Sequence, residues 1–165
     1  MSSTVCFTGH RTVPDKIYPQ LYRALTDAIE QAIASGATHF RTGGAMGFDT
    51  MAALAVLSAR QSHPNIALDL ILPCPSQTRG WSEDDLHLYE QIKTQANSCR
   101  FVSTGYYKGV LQERNRALVT GADLCIAYLR NSHGGGTAYT AAFALKNGLE
   151  LINLADLINI EKNVF

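Results

Sequence analysis

The chain has no excess charge of either sign. Its 14 Lys and Arg are balanced by 14 Asp and Glu, and no basic run stands out. Duplex nucleic acid usually requires a concentrated basic footprint, so this balance disfavours it as a partner. No apolar run approaches the roughly 20 residues of a membrane span, which disfavours a membrane protein. The opening Met1-Ser2-Ser3-Thr4 has neither the basic region nor the apolar core of a signal peptide. The cysteines, Cys6, Cys74, Cys99 and Cys125, include no C-x-x-C pair, and no Cys or His pair has metal-ligand spacing. The expectation is therefore buried, reduced thiols, no metal and a cytoplasmic location. Repeats, low-complexity segments and linkers are missing too, which leaves one domain over 1–165.

What the chain does have is apolar residues, at 46% against 17% charged, enough to build a core. They fall into short apolar runs alternating with longer stretches of helical period, the pattern of βαβ units. Strands are predicted at about 4–8, 39–42, 67–72, 100–103, 124–129 and 151–154. Helices are predicted at about 14–35, from the second strand's turn to 62, at 82–96, 110–120 and up to 147, with a short terminal helix. The first of these places Leu21, Leu25, Ala28, Ile29, Ala32 and Ile33 on one face. The implied fold class is α/β: a single Rossmann-like three-layer domain, a mainly parallel sheet of about six strands with helices on both sides.

The most unusual stretch is 41–53. Gly43, Gly44 and Gly47 interrupt a strand-to-helix turn that continues Phe48-Asp49-Thr50-Met51-Ala52-Ala53. Glycines allow a sharp turn and close backbone approach, and the helix start would aim free N–H groups into it. That is the geometry of an anion or nucleotide cradle, although the spacing is neither the dinucleotide fingerprint nor a P-loop. A second glycine turn, Gly134-Gly135-Gly136-Thr137, opens an alanine-rich helix.

In open parallel sheets, ligands bind beyond the carboxyl ends of the strands. The candidate ligand residues at those exits are Gly9, His10, Arg11, Gly43, Gly44, Met46, Gly47, Asp49, Gly134, Gly135, Gly136 and Thr137. Asp49 would repel a phosphate in its own cradle but suits a ribose hydroxyl; it equally complements the helix dipole. The second turn has no acid nearby, and Thr137, Tyr139 and Thr140 add hydroxyls. A phosphate is therefore expected there and the sugar near Gly44 and Asp49. Arg11 could clamp a phosphate or fix its own loop. His10 is either a ligand contact or a partner of neighbouring backbone, and His133 poses a similar choice. Trp81, Tyr106 and Tyr107 either stack on a base or cap the core. The helical faces made of small residues after both glycine turns suit packing against a second subunit, so a homodimer is an expectation.

Thr8-Gly9-His10-Arg11, Gly43 to Asp49, Glu113-Arg114-Asn115 and Gly134 to Thr137, in this order, resemble the YpsA-like branch of the SLOG superfamily. That superfamily also contains the LOG phosphoribohydrolases and the DprA DNA-processing proteins. The resemblance covers nearly the whole chain and adds Arg114 and Asn115 to the ligand residues. It implies a nucleotide or nucleotide-derived ligand, ADP-ribose-like ones included, with no required cofactor. It also implies, for some members, a link to bacterial stress or cell division. One departure matters. LOG enzymes place a glutamate after Gly-Gly-x-Gly-Thr, whereas Thr137 here is followed by Ala138, Tyr139, Thr140 and Ala141. Cleaving a sugar–base bond typically needs a carboxylate, so Asp49 is the one catalytic candidate, and only if it faces the anomeric carbon. A DprA-like reading calls for a positive groove with stacking aromatics, and the aromatics here are scattered. The leading expectation is nucleotide binding or sensing. The alternatives are N-glycosidic bond hydrolysis or transfer, and a single-stranded DNA binder or structural adaptor.

Overall fold

The computed structural model describes residues 3–130 and 135–158. Among these, strands and helices alternate: β1 (Ser3–Gly9), α1 (Tyr18–Ala34), β2 (Ala37–Thr42), α2 (Phe48–Ser62), β3 (Ala67–Leu72), α3 (Glu83–Gln95), β4 (Ser98–Phe101), α4 (Val110–Val119), β5 (Leu124–Tyr128), α5 (Gly135–Lys146) and β6 (Glu150–Asn153). The six strands form one sheet in the order β4-β3-β2-β1-β5-β6, with every pair parallel. This is the α/β, Rossmann-like architecture the alternation of runs predicts. The chain winds from β1 outward to β4, then crosses back to the other side of β1 for β5 and β6. The reversal point lies between β1 and β5, where a crevice opens in such sheets.

The period-two alternation of strands sorts side chains between two cores. Val5 and Phe7 of β1, Leu68, Leu70 and Leu72 of β3, and Ile126 and Tyr128 of β5 join a large core under α1, α2 and α3. Cys6, Ile71 and Cys125 point the other way, into a smaller core with Leu118 and Val119 of α4 and Ala144 of α5. Phe48, the first residue of α2, is fully buried between Phe7 and Tyr128, with ring centroids 6.4 Å and 5.9 Å away. Burying such a ring contributes about 1.5–3 kcal/mol, and it fixes the start of α2 beside the end of β1.

Several predicted features are corrected. The helix expected from 14 begins at Tyr18, because Pro19 occupies its first turn, where a missing N–H costs nothing. Residues 14–17 instead make a turn, with Ile17 N–H donating to Pro14 O at 3.1 Å. The fourth strand lies two residues earlier than expected, because Asn97 and Ser98 reach across to β3: Ser98 Oγ donates to Asp69 at 2.7 Å and Leu68 N–H donates to Asn97 Oδ1 at 2.9 Å. Cys6, Cys74 and Cys125 are buried free thiols, but Cys99 is exposed on the edge strand. The small-residue faces expected to meet a second subunit are used inside this chain: Ala52, Ala53, Ala55 and Ala59 of α2 and Ala141 and Ala144 of α5 are all buried. The homodimer expectation loses that basis. No described helix is long and apolar enough to cross a membrane.

Candidate functional site

At the reversal point, the end of β1 and residues of three helices, α2, α4 and α5, enclose a cleft of about 340 Å³. That is the lower end of the range for small-molecule sites, about 300–1,000 Å³. Its walls hold Thr8, Gly9, His10 and Arg11 from the exit of β1, and Ala45 and Asp49 from the turn into α2. Leu111, Gln112, Arg114 and Asn115 contribute from α4, and Gly136 and Thr137 from the start of α5. Of the residues selected from sequence, eight thus meet in one place: Gly9, His10, Arg11, Asp49, Arg114, Asn115, Gly136 and Thr137. Gly43, Gly44, Met46, Gly47 and Gly135 are not on the cleft wall. Gly134 and His133 lie outside the described residues.

The glycines of the first turn serve packing. A Cβ on Gly47 would stand 2.7 Å from His10 O and closer still to the main-chain carbonyl of Arg11. One on Gly9 would stand 2.5 Å from Phe48 Cβ. Gly44 faces Leu72 and Gln77 and does not line the cleft. Of the two residues expected beside the sugar, Asp49 lines this cleft and Gly44 does not. Gly9 and Gly47 permit a close approach between the exit of β1 and the start of α2.

Arg114 and Asn115 sit on a helix whose neighbours Glu113 and Arg116 are charged, which from sequence reads as a solvated face. They turn inward instead and are 5% and 9% exposed. Arg114 Nε donates to Asn115 Oδ1 at 2.9 Å, and its Nη1 donates to Gly43 O. Gln77 Nε2 donates to the same carbonyl at 3.2 Å, so two elements hold the Gly43 carbonyl. Gln77, from a turn after β3, had no distinguishing signal in its polar stretch. Leu111 and Gln112 were likewise missed.

Asp49 is buried and accepts from Ala45 N–H at 3.2 Å. Burial pushes its carboxyl above the usual carboxylate range, opposed by the positive charge of Arg114. Arg114 is pushed down by its own burial and held up by Asp49. Both approach the same point, within 3.0 Å of where a Cβ on Gly43 would be. The cleft thus has a buried, mutually stabilised acid and base at its floor and an exposed cation, Arg11, at its rim. Of the hydroxyls expected at the second turn, Thr140 Oγ1 donates to Gly136 O at 2.8 Å and Tyr139 Oη accepts from Arg116 at 3.0 Å. Thr137 remains on the wall. Trp81 packs edge-on to Tyr89, with centroids 5.3 Å apart, so it caps the core. Tyr106 and Tyr107 are exposed.

The sequence profile described as the "YspA SLOG family" (YpsA) matches residues 7–162. The chain belongs to the YpsA SLOG family. Among similar proteins, a UPF0398 protein of Brevibacillus brevis is 26% identical over 129 residues, covering 77% of this chain and 64% of the relative. A UPF0398 protein of Halalkalibacterium halodurans is 28% identical over 145 residues, covering 82% and 77%. This YpsA-family chain therefore spans less than two thirds of the Brevibacillus relative. In structure it is similar to DNA processing protein A of Helicobacter pylori, studied for its single-stranded DNA binding mode. There the TM-score is 0.60 at 21% identity, over 90% of this chain and 63% of that one. The X-ray structure of TM1055 gives a TM-score of 0.55 at 16% identity, over 90% and 72%. At these identities the likeness is one of fold, and function rests on the site.

Proposed function

We propose that this YpsA-family protein binds a nucleotide or nucleotide derivative in the cleft at the exit of β1, among α2, α4 and α5. The observation that carries this reading is the convergence of Arg11, Asp49, Arg114, Asn115, Gly136 and Thr137 on one cleft at the reversal point of a parallel sheet. In this reading a phosphate sits at the start of α5, on the free N–H groups of Gly136 and Thr137 and the Thr137 hydroxyl, with Arg11 closing over it. Asp49 accepts a hydrogen bond from a ribose hydroxyl. Arg114 and Asn115 fix the floor, and the Arg114 charge opposes the upward push of burial on the Asp49 pKa.

Thermal shift with a panel of nucleoside mono- and diphosphates, ADP-ribose and a single-stranded oligonucleotide tests the proposal. The oligonucleotide is included because the Helicobacter protein of the same fold binds such strands. A ligand at a hundred times its Kd stabilises by about 2.7 kcal/mol, which is a rise of about 5–11 °C for a chain of this size. Thr137→Val keeps the packing volume and removes the hydroxyl; it should leave the unliganded Tm unchanged and weaken a phosphorylated ligand about tenfold. No shift with any nucleotide would overturn the reading.

A second reading, N-glycosidic bond cleavage, draws on one observation: Asp49 is the carboxylate on the wall among the described residues. Incubation with nucleoside monophosphates should then release free base, and Asp49→Asn should abolish the release. Binding without release would leave a sensor.

A further inference from the structure

His10 stands at the junction of the elements that build the cleft. Its main-chain carbonyl accepts from Phe48 N–H at 3.0 Å, tying β1 to α2. Its ring reaches the other way: Nε2 lies 2.9 Å from the backbone N–H of Arg130, where the chain leaves β5 towards α5. The ring also rests edge-on against Tyr128, with centroids 5.3 Å apart. A backbone N–H can only donate, so Nε2 must be the acceptor, and a neutral ring must then carry its proton on Nδ1. His39 and His63 differ: each pairs with a carboxylate, Asp69 and Glu30 respectively, at 2.9 Å.

We propose that His10 is a positioning residue, a proton-sensitive latch that joins the exit of β5 to the exit of β1 only as the neutral, Nδ1-protonated imidazole. Protonation turns Nε2 into a second donor facing the Arg130 N–H, and the bond is lost. The exit of β5, from which the chain goes on to α5, then loses this side-chain tie to the exit of β1. The charged and titratable groups around the ring are Arg11 beside it in the chain, Tyr128 and Arg130 at the end of β5, and Asp49 and Arg114 in the same cleft. No carboxylate hydrogen-bonds the ring among the described residues. Burial and the charge of Arg130 hold its pKa below the usual histidine value. The latch is therefore closed near neutrality and opens only at a pH lower than the one at which an ordinary histidine gains its proton.

The test needs no ligand in its first arm. In the ¹⁵N-labelled full chain at pH 7.5, long-range imidazole correlations should show Nδ1 protonated and Nε2 as acceptor. A proton on Nε2 would overturn the proposal. The Arg130 amide, corrected for intrinsic exchange, should lose about fivefold in hydrogen-exchange protection as His10 titrates. In His10→Gln, whose side-chain carbonyl can accept the same N–H without titrating, protection should be independent of pH. In His10→Phe it should be low throughout. Protection that ignores the titration in wild type would sink the latch. The second arm rests on the cleft reading: AMP affinity, measured from pH 7.5 to 5.5, should fall more in wild type than in His10→Gln, which removes the ligand's own titration from the comparison. An equal fall, or a rise relative to the variant, would also overturn the latch. Failure of AMP to bind at all would bear on the cleft reading and leave the first arm intact.

Discussion

Replacing Gly47 by alanine perturbs the joint between β1 and α2 more directly than any change to a side chain in the cleft. Gly47 has φ 77° and ψ −120°, a conformation open to glycine and strained for other residues. Holding alanine there costs about 1–3 kcal/mol. The new methyl would also meet the main-chain carbonyls of His10 and Arg11. The His10 carbonyl is held in place: it already accepts from Phe48 N–H at 3.0 Å, and Phe48 is locked between two aromatic rings. Overpacking of this kind adds about 1–3 kcal/mol, giving a total near 4 kcal/mol out of an expected 5–15 kcal/mol. Gly148→Ala is the control. It has a comparable φ of 81° but no heavy atom within 4 Å of its Cβ position, so it carries the conformational cost alone, about 1–2 kcal/mol. Urea unfolding of both variants, with m unchanged, measures the difference. Gly47→Ala should be the less stable by about 1–3 kcal/mol, with a Tm lower by at least about 2 °C. Equal destabilisation would mean that the clash is relieved at no cost, and the account of this turn as a packing device would fail.

Further outcomes concern the floor of the cleft. Arg114→Met should cost about 3–5 kcal/mol, because it strands the Asp49 charge; in the double variant with Asp49→Asn the loss should be smaller than the sum by more than about 0.5 kcal/mol, and additivity within that margin in a double-mutant cycle would refute the coupling. Asp49 also sets a pH dependence. Its folded pKa is raised, so the native state binds the proton more tightly than the unfolded chain, whose value is about 3.9. Its contribution is therefore greatest below the unfolded pKa and declines as pH rises through the folded one. Asp49→Asn should remove that decline, seen as a higher ratio of stability at pH 7 to stability at pH 4 than in wild type.

The sequence by itself determined the layered plan. Runs such as Ala67 to Leu72, apolar at every position but Asp69, fit strands covered on both faces, and strands that alternate with helices fit a parallel sheet. The first glycine turn is local chemistry, so it was legible too, as was the helix expected from 82, where Ser82 Oγ accepts from Asp85 N–H. The start of α1 was misread because Pro14 and Pro19 offer the same local signal, and packing chose between them. The site is the part that local pattern could not settle. Which face a residue such as Arg114 or Gly44 presents depends on partners distant in sequence: Gly43 for the arginine, Leu72 for the glycine. Only the strand order placed the exits of β1 and β5 side by side, and only the packing of Phe48 against Phe7 and Tyr128 fixed the first glycine cluster as a joint between β1 and α2. Periodicity is written in neighbouring residues, whereas a cleft is made by contacts that close across loops, and those are decided by the whole chain folding at once.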